Sequence, residues 1–187
     1  MFYIFNKDIF LQMKLFQILC LIFCVSLFNC EANKKKDAEK LTEKPMQYIT
    51  VLGIAQDAGF PQINCNKACC NAFYKGKESK KFISCLGLVD LENNKKWLFD
   101  ATPDIAVQTQ LLKNHLDNSK VIDGVFLTHA HIGHYTGLMY FGREALGGNN
   151  IPVYVMPKMK TFLENNGPWS QLVSLNNIAL KPLQNDS

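Results

Sequence analysis

Apolar and polar positions after Gln47 fall into short runs that predict strands and helices in turn. β-Rich apolar runs bounded by polar turns predict strands at 47–54, 82–91, 96–100, 121–127 and 151–156. The polar tetrapeptide at 92–95 predicts the turn of a hairpin between the second and third of these strands. Helices are predicted over about 102–116, 138–145 and 157–165. Thr102 offers the first helix a cap oxygen, and Pro103 fits its first turn.

The first 30 residues predict an export signal. Lys14 is followed by an apolar run from Leu15 to Phe28, which is shorter than the about 20 residues that a membrane-spanning helix needs. The run ends in the segment 26–30, which resembles the cleavage box of a bacterial lipoprotein with Cys30 as the lipidated residue. An uncleaved N-terminal anchor is the alternative. Both interpretations predict an exported protein held at the membrane, in the periplasm or on the cell surface.

Residues 31–45 are rich in Lys and Glu and nearly lack large apolar side chains, so they predict a solvated tether. The predicted organisation is therefore a signal at 1–30, a tether at 31–45 and a folded region at 46–187. The formal net charge of +4 is small and dispersed along the chain. This charge does not indicate nucleic-acid binding.

Three of the four histidines lie within six residues, at His129, His131 and His134. They follow the apolar run 121–127, which predicts a buried strand. Neutral imidazole is the commonest protein ligand for transition metals. In an extended segment the side chains at i and i+2 share a face, so His129 and His131 can hold one ion. His134 lies where the chain turns into a helix, and it can face the same ion or a neighbouring one.

This histidine cluster resembles the signature of the metallo-β-lactamase superfamily, His-x-His-x-Asp-His after a buried strand. Residues 51–62, 99–104 and 137–138 resemble one branch in particular, the relatives of coenzyme PQQ synthesis protein B and of phosphodiesterases in phosphonate breakdown. The resemblance implies an α/β (α+β) fold, the αββα sandwich of metallo-β-lactamases. In that fold two sheets, each with helices on its outer face, enclose the metals.

The resemblance also implies a chemistry, the hydrolysis of an ester, phosphodiester or amide in a small-molecule substrate by metal-activated water. Zinc is the expected metal, and iron is the alternative. His129 and His131 would hold a first ion, while His134 would bind a second ion or orient the water of the first.

Gly133 stands where the signature has an aspartate, and glycine offers no ligand atom. A two-metal site therefore requires another carboxylate, and the candidates near predicted strand ends are Asp57, Asp100 and Asp104. We expect Asp104 to cap the following helix. Asp100 is the carboxylate that we expect to act with His134 in catalysis, by hydrogen-bonding to metal ligands and orienting them.

Cys65, Cys69 and Cys70 form a second cluster, in a loop. The relatives implied by the resemblance carry a Cys-x-Cys-x-x-Cys zinc loop, and Lys67 stands here at the position of the middle cysteine. A structural zinc usually needs four Cys or His ligands. The alternatives are a disulfide, which suits an exported protein, and free thiols. Cys85 is expected to be a small core residue.

No histidine follows His134, and the third ligand of the first metal normally comes from the second half of the superfamily fold. The sequence is therefore expected to hold the first half of the fold only, and a homodimer is one way to complete the site. Three functions stay open at this point: a metal-dependent hydrolase, an iron-dependent oxygenase of the same branch, and a non-catalytic or degenerate lipoprotein.

Overall fold

The computed structural model describes residues 45–185. The predictions for the signal, for Cys30 and for the tether up to residue 44 lie outside the described residues and stay predictions. Within 45–185, none of the helices combines the length and the apolar character that a membrane crossing requires.

The described residues form six strands with helices between most of them. The elements are β1 (Gln47–Gly53), α1 (Ala68–Tyr74), β2 (Cys85–Asp90), β3 (Lys95–Phe99), α2 (Ile105–Lys113), β4 (Gly124–Phe126), α3 (Ile132–Tyr135), a 3₁₀ helix (Thr136–Phe141), β5 (Ile151–Val155), α4 (Pro157–Asn165), α5 (Trp169–Ser174) and β6 (Ile178–Pro182).

The strands form one six-stranded mixed sheet in the order β1-β2-β3-β4-β5-β6. β1, β2 and β3 are antiparallel neighbours, whereas β3 to β6 run parallel. The predicted hairpin turn joins β2 to β3, and there the Asn93 N–H donates to Asp90 Oδ1 at 3.0 Å. Each parallel connection contains helical turns. Because such crossovers are right-handed and the strand order never reverses, their helices lie on one face of the sheet.

The core lies between that face and the helices. The sheet contributes buried residues such as Val89, Leu98 and Val153, and α2 and the 3₁₀ helix contribute residues such as Leu112 and Phe141. These side chains are at most 2% exposed. Burying a large apolar side chain stabilises a fold by about 1.5–3 kcal/mol, so this single layer of contacts holds the helices on the sheet.

The opposite face of the sheet also carries apolar side chains. Ile49 and Val51 on β1 are 59% and 63% exposed. Further along the sheet, Phe126 stacks on Phe99 and on Tyr154, with ring centroids 5.4 and 4.4 Å apart. An apolar inner face and helices on the outer face are the features that the metallo-β-lactamase resemblance implies for one half of the sandwich.

Several predicted boundaries are wrong, and local contacts explain them. The strand predicted over 121–127 is only the three-residue β4, since Asp123 turns its carboxylate to accept the Lys96 N–H at 2.9 Å. The first predicted helix is shorter than expected, at Ile105–Lys113. The elements α1, α5 and β6 were not predicted from the pattern.

The helix predicted over 138–145 is also wrong. Helical structure begins at Ile132 and continues as the 3₁₀ helix, which ends at Phe141. Gly137 sets this position, because a Cβ there would come within 2.0 Å of the Thr102 carbonyl oxygen. The Gly137 N–H donates to the Ala101 oxygen at 2.9 Å. A glycine therefore allows the turn after the histidines to lie directly against the end of β3.

Candidate metal centre

The candidate ligands meet at one edge of the sheet because of the strand directions. β1 and β3 are both antiparallel to β2, and β4 is parallel to β3, so the carboxyl ends of β1, β3 and β4 share an edge. Asp100 directly follows β3, the loop holding Asp57 follows β1, and His129 lies just beyond β4. In open α/β sheets, ligands bind beyond the carboxyl ends of the strands.

Asp100 is buried at the centre of the site and pairs with two neighbours. Its Oδ1 accepts the Thr128 N–H at 2.8 Å, and the Thr128 hydroxyl lies 2.9 Å from both carboxylate oxygens. Its Oδ2 lies 2.7 Å from His134 Nδ1. This arrangement holds the His134 ring in place, and the role expected of Asp100 in catalysis stays a prediction. Thr128 was not predicted as a site residue, although it directly precedes the first histidine.

Asp57 lies on the other side of the His134 ring. Its Oδ1 is 2.9 Å from His134 Nε2, and its Oδ2 is 3.2 Å from His131 Nδ1. Of the three carboxylates considered from the sequence, Asp57 is the one that directly joins two of the histidines. Asp57 stands 77 residues before His134, so only the fold brings them together.

The three histidines form one cluster. His129 Nε2 and His131 Nδ1 are 3.1 Å apart, and the ring centroids of His129 and His134 are 4.1 Å apart. Two sets of side chains place one ligand atom each within 4.8 Å of the others: Asp57, His129 and His131 form one set, and Asp100, His129 and His134 form the other. The structure thus brings together every predicted histidine ligand and two of the three candidate carboxylates.

Asp104 lies outside this cluster, and the prediction that its side chain caps the next helix is wrong. Its carboxylate makes no cap hydrogen bond. It accepts the Ile83 N–H at 3.0 Å and pairs with Lys80. Thr102 Oγ1 accepts the Asp104 N–H at 3.1 Å in the turn before α2, so the prediction that Thr102 caps the helix is also wrong. Asp104 therefore ties α2 to the segment before β2.

The surroundings of His134 fit a metal ligand. A neutral imidazole has one N–H and one lone pair, yet carboxylates face both nitrogens of this ring. With Nδ1–H donating to Asp100, Nε2 faces an anionic oxygen of Asp57, and either a second ring proton or a bound cation would offset that charge. A carboxylate behind the imidazole of a ligand is the usual arrangement at protein metal sites. The donor set of imidazoles and carboxylates suits zinc or iron.

The same contacts shift two pKa values in the metal-free site. Burial lowers the pKa of His134, but its hydrogen bonds to Asp100 and Asp57 outweigh burial and raise that pKa above its usual value. The hydrogen bond from His134 lowers the pKa of Asp57, and the nearby histidine rings add to this effect. The two carboxylates therefore favour the protonated form of the His134 ring.

A pocket of about 340 Å³ opens beside His129. Its lining is largely apolar and was not predicted from the sequence, since it combines the segment after β4, α3 and α4. The lining residues are Leu127, Thr128, His129, Ala130, Tyr135, Met156, Lys158, Met159 and Phe162. Lys158 brings a positive charge to this lining. A ligand in this pocket would lie directly against the histidine cluster.

Cys65, Cys69 and Cys70 also form a group whose sulfur atoms lie within 4.8 Å of one another. All are free thiols, as is Cys85. A hydrogen bond from the Cys70 thiol lowers the pKa of Cys65, and the same contact raises the pKa of Cys70. The group supplies three of the four ligands that a structural zinc needs, so a zinc in this loop stays a prediction.

Cys85 lies apart from that group and is buried at the start of β2. Burial, with the charge of Asp100 nearby, raises the pKa of its thiol to about 12. Compared with an unperturbed thiol, about a thousand-fold less thiolate is present at mildly alkaline pH, and thiolate is the reactive form. We expect iodoacetamide to leave Cys85 unmodified in the folded, chelator-treated protein and to modify the exposed Cys69. Peptide mapping by mass spectrometry measures both sites, and equal modification of the two would contradict the burial of Cys85.

Comparisons with known proteins agree with this fold. Residues 95–187 match the beta-lactamase superfamily domain. Coenzyme PQQ synthesis protein B of Klebsiella pneumoniae (strain 342) is 36% identical over 97 residues, which cover 49% of this chain and 32% of that protein. The crystal structure of Zn²⁺-bound PqqB from Methylobacterium extorquens superposes with a TM-score of 0.63 at 20% identity, over 76% of this chain and 50% of that one. A diphosphatase of the PhnP family superposes with a TM-score of 0.51 at 24% identity, over 74% and 50% of the two chains.

The chain belongs to the metallo-β-lactamase superfamily. Within it, the chain falls on the branch that resembles coenzyme PQQ synthesis protein B, as the sequence motifs indicated. The matched segment spans about a third of the length of its curated relatives, and the superposition spans half of the solved relative.

Proposed function

We propose that this protein is a metal-dependent hydrolase that attacks an ester, phosphodiester or amide bond of a small molecule. The observation that supports this most strongly is the His134 ring, which is held from behind by Asp100 and faces Asp57 beside His129 and His131. The proposed metal is zinc, and the superfamily relative solved with Zn²⁺ supports that choice. Bound there, the ion would supply a water of lowered pKa as the nucleophile.

The residues of the chain would have separate tasks in this reaction. His129 and His131 are exposed and have ring nitrogens that can turn to an ion, whereas His134 is fixed by its carboxylates. Asp100 would hold the metal-bound His134 ring in the tautomer with the proton on Nδ1, and the hydrogen bond from the Thr128 N–H would hold Asp100 in place. Asp100 directly follows β3 and Thr128 lies just beyond β4, whereas His134 lies on α3.

The pocket beside His129 supports a substrate that has an apolar part. Its aromatic and methionine side chains would exclude water from one side of the scissile bond, and Lys158 would attract an anionic group. Phosphodiesters and carboxylate-bearing esters combine these two properties. We therefore propose an amphipathic, anionic small molecule as the substrate class.

Hydrolysis of chromogenic substrates tests the proposal. We expect the zinc-loaded protein to hydrolyse bis(p-nitrophenyl) phosphate or a p-nitrophenyl ester, to lose this activity in excess chelator and to regain it when zinc is added back. The His129→Ala variant, prepared in parallel, is the control for contaminating enzymes. Equal rates for this variant and the wild type, or no zinc-dependent rate on any ester, phosphodiester or amide probe, would overturn the proposal.

A further inference from the structure

The backbone after β1 occupies the space that an aspartate at position 133 would need. A Cβ built on Gly133 would come 2.8 Å from Asp57 Cα, 2.8 Å from the Asp57 carbonyl oxygen and 2.9 Å from Asp57 Cβ. Carbon atoms in contact normally stay about 3.5–4 Å apart. Gly133 is therefore not simply a lost ligand, because its lack of a side chain is what lets Asp57 approach the histidine turn.

The Asp57 carboxylate is directed at the two histidines on either side of Gly133. One oxygen lies 3.2 Å from His131 Nδ1 and the other lies 2.9 Å from His134 Nε2. The histidine motif thus has no carboxylate at position 133, and a different loop places the Asp57 carboxylate between the histidines that flank this position.

A hydrogen-bonded turn holds Asp57 in this position. The Gly59 N–H donates to the Gln56 carbonyl oxygen at 2.8 Å, and the Gln56 side chain bonds Gly59 and Ala58 within the same turn. The turn is anchored to the segment before β2, where the Ala55 N–H donates to the Phe82 oxygen at 2.8 Å. Because the fold already orders this loop, binding a cation there costs less conformational entropy than it would in a flexible loop.

Asp100 is not equivalent to Asp57 as a ligand. Its two oxygens already accept the Thr128 N–H, the Thr128 hydroxyl and the His134 ring, and its side chain is 8% exposed. The Asp57 side chain is 39% exposed, and within the described residues its carboxylate pairs with the His131 and His134 rings alone. Asp57 can exchange a histidine partner for an ion without losing other contacts, whereas Asp100 cannot.

We propose that Asp57 is the carboxylate ligand of a divalent transition ion in this site, and that it replaces the aspartate which the His-x-His-x-Asp-His motif lacks at Gly133. The proposal rests on the proposed function, since it assumes that the histidines bind such an ion. It adds that the ligand set is built from two loops, one after β1 and one after β4.

Metal titration of variants tests this assignment. We would titrate Co²⁺ and Zn²⁺ into the metal-free wild type, Asp57→Asn and Asp117→Asn, following the visible Co²⁺ spectrum and the heat of binding. The Co²⁺ spectrum separates thiolate ligation at the cysteine loop from binding by nitrogen and oxygen. Replacing a residue that hydrogen-bonds to a metal ligand typically lowers metal affinity 10–100-fold. Replacing a ligand itself should therefore lower the affinity at least about 10-fold. Asp57→Asn is expected to lose at least that factor, and Asp117→Asn, which removes an exposed carboxylate paired only with Lys113 in the described structure, should bind as the wild type does.

A second variant tests the steric part of the proposal. Gly133→Ala adds no ligand and removes none, but its Cβ would push Asp57 away from the histidines, so we expect its metal affinity to fall as well. Circular dichroism and melting of the metal-free proteins identify variants that fail to fold.

The possible results separate the two proposals. If the wild type binds no ion through nitrogen and oxygen ligands, the proposed function fails and this inference fails with it. If the wild type binds and Asp57→Asn binds equally well, only the role of Asp57 is overturned. An equal loss in Asp117→Asn would also overturn that role, because the effect would then be one of general charge.

Discussion

Replacing His129 and His131 together with alanine is expected to lower the affinity of the protein for zinc by at least about 100-fold, since even groups behind the ligands contribute 10–100-fold. The reason is geometric. His129 belongs to both sets of side chains that could hold an ion, and His131 joins it to Asp57. Without these rings, only His134 and the carboxylates stay at the edge of the sheet. Isothermal titration of the metal-free proteins with zinc, with the cysteines blocked, measures the loss.

His115→Ala is the matched control for this variant. It removes the fourth histidine, whose ring nitrogens lie 3.2 Å from the Tyr48 hydroxyl and 3.3 Å from Thr50 Oγ1. His115 belongs to neither of the two His–Asp groups, so its replacement should leave zinc affinity unchanged. Full zinc affinity in the double variant, or an equal loss in the control, would refute a metal centre at the histidine cluster.

Replacing Asp100 with alanine is expected to destabilise the metal-free protein by about 3 kcal/mol, because several buried partners lose an acceptor at once. The Thr128 N–H and hydroxyl and the His134 ring all contact this carboxylate. Asp100 also has a φ of 72°, a left-handed conformation that alanine tolerates poorly and that aspartate and asparagine adopt more readily. Unfolding in urea, in the presence of chelator, measures the loss of stability.

Two variants separate the lost carboxylate from the backbone strain. Asp100→Asn keeps the left-handed conformation and one acceptor for Thr128, so we expect about half of the loss. Asp100→Gly relieves the strain but removes every acceptor, so its loss should lie between those of the asparagine and alanine variants. If all three variants unfolded at the same urea concentration as the wild type, the buried contacts of Asp100 would not contribute to stability.

Much of the fold follows from local sequence. The hairpin between β2 and β3 was predictable because polar residues separate two apolar runs, and α4 at Pro157–Asn165 has the predicted bounds. The 3₁₀ helix was not predictable in the same way. Its position depends on Gly137 lying against Thr102, a contact between distant segments that leaves no periodic pattern in the sequence.

In the candidate site, too, the residues that are close in sequence were predictable, and the contacts between distant segments were not. The spacing of His129, His131 and His134 identified the histidine cluster without the structure. The sequence favoured Asp100 as the carboxylate that acts with His134 and Asp104 as a helix cap, but it could not show that Asp57 contacts two of the histidines. Those contacts depend on which strand ends share an edge and on the space left by Gly133, and both are properties of the packed sheet.

The metal content of the purified protein is the most direct test of a metal centre at this edge. We would measure zinc and iron per chain by inductively coupled plasma mass spectrometry, in the wild type and in the His129→Ala/His131→Ala variant, with the cysteine loop blocked in both. The account predicts at least about one ion per wild-type chain, as a site with three protein ligands can retain, and its loss in the variant. A folded wild type that cannot be loaded with either metal, or an unchanged content in the variant, would contradict it.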